Sequence, residues 1–314
     1  LVEINGETGG TKQSASFVKQ PNNHGTDLAS CGSSKTNDLR SQFIILLLLT
    51  LHSFLQFAQS DSIHQSAWKA LHEWEIGDDE IWTTDVLGNV LLTKKNLIQK
   101  YDSAGVLKYS QSIRSFGRLQ DIQAVNSMKI VAFSEEQQTI CLLDNTLTLS
   151  ENCLELADFN IGNASVFSVS SQPDKIWMLD QLNSRLLLLS LGKTNQFQEI
   201  SNLKGILALD HIDQLTEYNN RLYLIDRTKG IYEFDLYGTL LNVISAEGFT
   251  NVFFAKENAF LLTIDQLKVI NLESLKTTEI PLPVKDVKQF QIIESTFYFR
   301  SPNKIYNYLL SFPQ

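Results

Sequence analysis

Ile98-Gln99-Lys100-Tyr101-Asp102-Ser103-Ala104-Gly105-Val106-Leu107 and Ile231-Tyr232-Glu233-Phe234-Asp235-Leu236-Tyr237-Gly238-Thr239-Leu240 spell one pattern twice: Ile-x-x-aromatic-Asp-x-x-Gly-x-Leu. An apolar run reaches an acidic corner, a glycine follows, and a second apolar run begins. Short runs rich in Ile, Leu, Tyr and Phe, bounded by Asp, Asn, Gly, Ser and Pro, are strand and turn chemistry.

Working outward, the same arrangement surrounds Val90, Ile130, Ile176, Leu222, Leu261 and Phe297, at intervals of roughly 36 to 46 residues. Each unit accommodates four strands. In the first unit they are expected at 81–85, 90–93, 97–101 and 106–110, and in the fourth at 211–217, 222–225, 231–234 and 240–244. Several runs are apolar on both faces, as happens when a sheet is packed on either side. Four-stranded units repeated radially hide their sheet edges, which predicts an all-β, six-bladed propeller. The sixth unit stops after its third strand, and Trp68–Ile76 precedes the first unit without a blade of its own. That N-terminal segment is therefore expected to supply the missing strand and close the ring, burying Trp74 and Ile76. Gln65 to Glu75 also carries a hint of helical spacing through Trp68, Leu71 and His72.

On repeat length, blade count and the Tyr101-Asp102-x-x-Gly105 and Phe234-Asp235-x-x-Gly238 corners, the chain from about Trp74 onward resembles the six-bladed β-propellers of the NHL and TolB-like type. The resemblance implies a fold, in an exported bacterial member, and carries no functional residue across. Four corners are degenerate: Leu143-Asp144, Leu189-Ser190, Ile270-Asn271 and Tyr308-Leu309.

The 314 residues, 43% apolar and 19% charged, suit a globular chain with a sizeable core. A formal charge of -9 argues against non-specific binding to nucleic acid or to an anionic membrane surface. Residues 1–38 are polar and rich in Gly, Ser, Thr, Asn and Gln, which reads as a disordered stretch or an upstream extension from a misplaced start. Arg40, the apolar run Phe43–Leu55 and the small residue Ala58 are the three parts of a secretory signal over 39–59. A retained anchor is the alternative; the run is short of the ~20 apolar residues that span a bilayer. Residues 60–314 then form the mature propeller.

Cys141 and Cys153 are the cysteines of that mature region. They either pair in an oxidising compartment or act as small apolar core residues. Cys31 precedes the apolar run, so it does not match a lipoprotein cysteine. For chemistry, the hydrolases and lactonases sharing the fold use Glu, Asn and Asp around a divalent ion in the channel, because hard oxygen ligands suit Ca²⁺ or Mg²⁺. Glu80, Asp121, Asn163, Asp210 and Asp213 are scattered candidates, each equally a turn or loop residue. No His-Glu-x-x-His, Cys-x-x-Cys or Gly-x-Ser-x-Gly pattern occurs. Trp82, Trp177, Tyr223 and Tyr298 occupy similar places in different units and are expected to pack between blades, with a shared binding groove as the alternative.

The sequence points to a non-enzymatic protein-binding scaffold, exported to the periplasm, the outer membrane or the medium. Its partner is expected to be another envelope protein, bound by a monomer or within a hetero-complex. No catalytic, metal or cofactor-binding residue is assigned, and no cofactor. A metal-dependent hydrolase or lactonase, or a carbohydrate-binding module, is the alternative.

Overall fold

The computed structural model describes residues 67–311, apart from 95–96, 151–152, 192–196 and 208–210. The expected extension (1–38) and signal (39–59) lie outside the described residues. Among the described residues, no helix is long and apolar enough to cross a membrane.

The chain opens with β1 (Ala67–Glu75). Blade 1 follows as β2 (Trp82–Thr84), β3 (Val90–Lys94), β4 (Leu97–Tyr101) and β5 (Leu107–Ser112), and blade 2 as β6 (Asp121–Ala124), β7 (Lys129–Ser134), β8 (Thr139–Asp144) and β9 (Leu154–Glu155). Blade 3 holds β10 (Ala164–Val169), β11 (Lys175–Asp180), β12 (Arg185–Ser190) and β13 (Phe197–Ile200), and is followed by a single helical turn, α1 (Leu203–Ile206). Blade 4 is β14 (Gln214–Tyr218), β15 (Arg221–Asp226), β16 (Gly230–Phe234) and β17 (Leu240–Ile244). Blade 5 is β18 (Asn251–Ala255), β19 (Asn258–Leu262), β20 (Gln266–Asn271) and β21 (Thr277–Pro281), and β22 (Gln289–Ile293), β23 (Thr296–Arg300) and β24 (Lys304–Ser311) belong to blade 6. All six sheets are four-stranded and antiparallel, and the sixth has the order β1-β24-β23-β22. The ring is a six-bladed β-propeller closed by its N-terminal strand, as expected. All six repeat markers fall in the second strand of a blade.

The helical hint in Gln65 to Glu75 is corrected: from Ala67 to Glu75 the chain is extended. A bulge between Ala70 and His72 shifts its register against β24. An extra residue breaks the two-residue alternation of a strand, and this disguised the pattern. The bulge has a packing purpose. Trp68 meets Phe297 and Phe299 edge-on, on the side of blade 5, while Trp74 packs with Trp82 and Val90 on the side of blade 1.

Six apolar clusters fill the six seams between neighbouring blades. Successive residues of one strand feed opposite seams. Ile176 and Met178 of β11 enter the seam with blade 2, whereas Trp177 and Leu179 enter the seam with blade 4. That is why these runs are apolar throughout, and each large side chain so buried contributes about 1.5–3 kcal/mol.

The Asp-x-x-Gly corner recurs with one hydrogen-bond set. The Asp102 carboxylate accepts the backbone N–H of Ala104 (3.1 Å) and Val106 (2.9 Å), and the Asp235 carboxylate those of Tyr237 (2.9 Å) and Thr239 (2.8 Å). Gly105 and Gly238 sit at φ +81° and +94°, completing a bulged turn. Asp85 builds the same corner at 85–89 with Gly88. Asp144 builds it at 144–148 with Leu147 at φ 69°. The "degenerate" Leu143-Asp144 corner is thus intact in geometry.

Cys141 and Cys153 are joined by a disulfide. The outer strand of blade 2 is only two residues long, so the bridge ties a weakly paired edge to the inner β8. Closing a loop of this size is worth about 3 kcal/mol in the chain-entropy account.

Candidate functional site

In an antiparallel blade, the loops joining the second and third strands open on one end of the ring. The connections that run from one blade to the next open on that same end. Between blades 3 and 4 these loops enclose a cleft of about 260 Å³. Its wall is Leu179, Leu203, Leu207, Ile212 and Leu224, all members of the seam between the two blades. Its rim carries Asn163, Gln181, Ser184, Lys204 and His211, with Leu182 standing 70% exposed.

The rim is firmly positioned. Asp180 at the end of β11 is fully buried; it accepts Asn183 Nδ2 (2.7 Å) and Arg185 Nε (3.0 Å), fixing the hairpin that bears Leu182. Arg185 also donates to Glu199 (2.9 Å) and to the Asn160 carbonyl (2.8 Å). Burial works against the Arg185 charge, but Asp180 and Glu199 outweigh it and hold the guanidinium above its ordinary range. Leu203 N donates to the Ser184 carbonyl (2.9 Å), docking α1 on the hairpin. Leu182 leans across Gly162, where an added Cβ would come within 2.8 Å of its Cδ2.

Beside the cleft, Asp213 accepts the Arg227 backbone N–H (2.8 Å) and lies 2.6 Å from its guanidinium, with His211 Nε2 at 3.3 Å. Burial works against the Asp213 charge, yet Arg227 holds the carboxyl below its ordinary range. The carboxylate is therefore committed to Arg227.

The sequence candidates are dispersed around the ring. Glu80 accepts the Gly77 N–H (2.7 Å) in the connection from blade 6 to blade 1. Asp121 lies on the innermost strand of blade 2, where it accepts Ile122 N and Gln123 Nε2 (both 2.8 Å). Enclosure between inner strands pushes its carboxyl up to about 6. Asn163 is at the cleft and Asp213 beside it, while Asp210 lies outside the described residues. Among the described residues, no three His, Cys, Asp or Glu side chains come together as a metal-ligand group.

Trp82, Trp177, Tyr223 and Tyr298 are all buried in seams. All four reach a polar partner: Trp82 Nε1 donates to Gln289 (3.0 Å), Trp177 Nε1 to Glu217 (2.7 Å), Tyr298 OH to the Gly88 carbonyl (3.0 Å), and the Tyr223 hydroxyl hydrogen-bonds Glu233. A second set of polar side chains stitches inner strands together and went unnoticed in the sequence. Gln123 donates to Phe167 O (3.1 Å) and accepts Val169 N (3.1 Å) on the next blade. Gln214 donates to Val252 O (2.8 Å), and Gln291 accepts Thr84 N (2.8 Å). These amides satisfy strand edges that no further strand covers. One signal was legible, a Gln recurring in the first strand of units 2, 4 and 6.

No protein-family model matches the sequence, and no curated protein matches it. Solved β-propellers do resemble it. A catalytically inactive virginiamycin B lyase from Staphylococcus aureus, bound to quinupristin, aligns at TM-score 0.51 and 14% identity over 73% of this chain and 80% of the lyase. A streptogramin B lyase aligns at TM-score 0.54 and 13% identity, over 77% of this chain and all of the lyase. The Neurospora crassa Pan2 WD40 domain aligns at 0.54 and 11%, over 76% of this chain and 81% of that domain. Likeness at such identity establishes the propeller fold and nothing about chemistry.

Proposed function

We propose that the chain is an exported, non-enzymatic propeller that binds another envelope protein through the cleft between blades 3 and 4. The observation that carries the reading is the cleft itself: a Leu- and Ile-walled slot, open among fixed loops, with Leu182 exposed at its lip. Exposed apolar side chains beside a preformed apolar recess are the anatomy of an interface anchor site. The Cys141–Cys153 disulfide supports an oxidising compartment, as does the signal-like pattern of Arg40, Phe43–Leu55 and Ala58. In this reading residues 60–314 are the mature protein.

The test is site-specific photocrosslinking of the full chain in its native cells. A photoreactive residue at position 182 is compared with one at Lys108, on the outer strand of blade 1. A discrete protein adduct is expected from position 182 and not from 108. Identical patterns at both positions, or none from 182, overturn the reading.

A further inference from the structure

Two features of the cleft between blades 3 and 4 define what it accepts. Its volume, about 260 Å³, falls below the roughly 300–1,000 Å³ of sites that enclose small molecules. It has room for one large apolar anchor side chain. The second feature is the charge at its rim. Lys204 on α1 is exposed, and no described carboxylate pairs with it. Among the described residues, the neighbouring carboxylates are committed elsewhere, Asp213 to Arg227, and Asp180 and Glu199 to Arg185. Lys204 therefore stands at the lip as a cation without a described carboxylate partner, on a chain whose formal charge is -9.

We infer that the cleft receives a partner segment in which a large apolar side chain is accompanied, within two residues, by a carboxylate. The apolar side chain fills the slot walled by Leu203, Leu207 and Leu224, and the carboxylate meets Lys204. The inference rests on the scaffold reading and adds the chemistry of the partner. A lysine at the same place in the partner would face Lys204 and be rejected, since rim charges set which partners dock and how salt affects them.

An array of nine-residue peptides tests this on the full-length protein. The centre is Leu, Met, Phe or Ala, and the residue two positions on is Asp, Ser or Lys. Binding is expected for the apolar centres only, in the order Asp, Ser, Lys, with the Asp preference fading as salt is raised. Lys204→Glu, an exposed change, should lower binding of the Asp peptides at least tenfold at low salt and favour the Lys peptides. No peptide binding, no charge ranking, or a ranking unmoved by Lys204→Glu overturns the inference. The crosslink from position 182 separates the two readings. If it survives in Lys204→Glu while the array shows no charge ranking, the scaffold stands and this inference falls. If wild-type protein gives no adduct, the scaffold reading itself falls.

Discussion

Leu147 stands where three other Asp corners carry glycine, at φ 69°. A left-handed conformation costs a non-glycine residue about 1–2 kcal/mol, so something must hold it there. Leu147 is fully buried in the seam between blades 1 and 2. Burial of its side chain is worth about 1.5–3 kcal/mol, and removal would also leave a cavity. Leu147→Gly is therefore expected to destabilise the protein in urea by about 1–3 kcal/mol despite relieving the backbone; a gain in stability would show that strain dominates. Asp121 makes the opposite kind of compromise. Its carboxyl titrates near 6 in the fold instead of 3.8, so the folded state binds the extra proton between those values. Its charge opposes folding above about pH 6, and that opposition disappears as pH falls through 6 towards 4. Asp121→Asn keeps an acceptor for Gln123 without the charge. The variant should exceed wild type in stability at pH 8 and match it near pH 4, as read from urea midpoints at the two values.

Among the elements, β1 joins the two ends of the described chain. Lys304 Nζ meets Glu73 Oε1 at 2.5 Å across that strand pair, but the pair lies in solvent, where screening leaves it little weight. The binding energy lies in Trp74 and Ile76, buried against Trp82, Val90 and Leu92. Trp74→Ala should cost about 3–5 kcal/mol, seen as a lower melting temperature. An unchanged Tm would mean that closure depends on backbone pairing alone. The role of β1 was legible because the sixth unit was short by one strand and the first was preceded by a spare apolar segment. Its local form was not, because a bulge mimics helical spacing. Blades were readable for a related reason: each seam demands apolar residues on both faces of a strand, and this demand recurs at a fixed interval. The cleft was not readable. It is built from Leu179, Leu203 and Ile212, which look like any other core residues until three separate segments converge, and only Asn163 of its rim had been singled out, for a different role. The corner at Leu143-Asp144 was misjudged for want of a glycine, since sequence does not reveal that a buried leucine can hold a positive φ.

For the whole ring, closure is a long-range event: the ends of β1 and β24 pair Ala67 with Ser311, and Glu75 with Lys304. Almost the entire ring must be in place before this sheet is complete, and non-local pairing slows folding because loop entropy precedes its reward. Sequence order can be changed without changing the contacts. Ala67 and Ser311 are direct cross-strand partners, so a two-residue Asn-Gly turn suits the link between them. The exposed Asp78 side chain, in the connection from blade 6 to blade 1, marks where the chain can be opened. A permutant running from Glu80 to Ser311, through Asn-Gly, and from Ala67 to Asp79 would make blade 6 a set of consecutive hairpins. Every seam and every inner-strand amide bond would be retained. Stopped-flow refolding should then be several-fold faster than for the unpermuted 67–311 segment, while the unfolding rate stays within about twofold, because the native contacts that resist unfolding are the same. Equal refolding rates would place ring closure after the rate-limiting step. Faster unfolding would show that the Ile76–Ile81 connection, which Arg300 Nη2 grips through the carbonyls of Gly77 (2.9 Å) and Asp78 (2.8 Å), stabilises the ring beyond linking two blades.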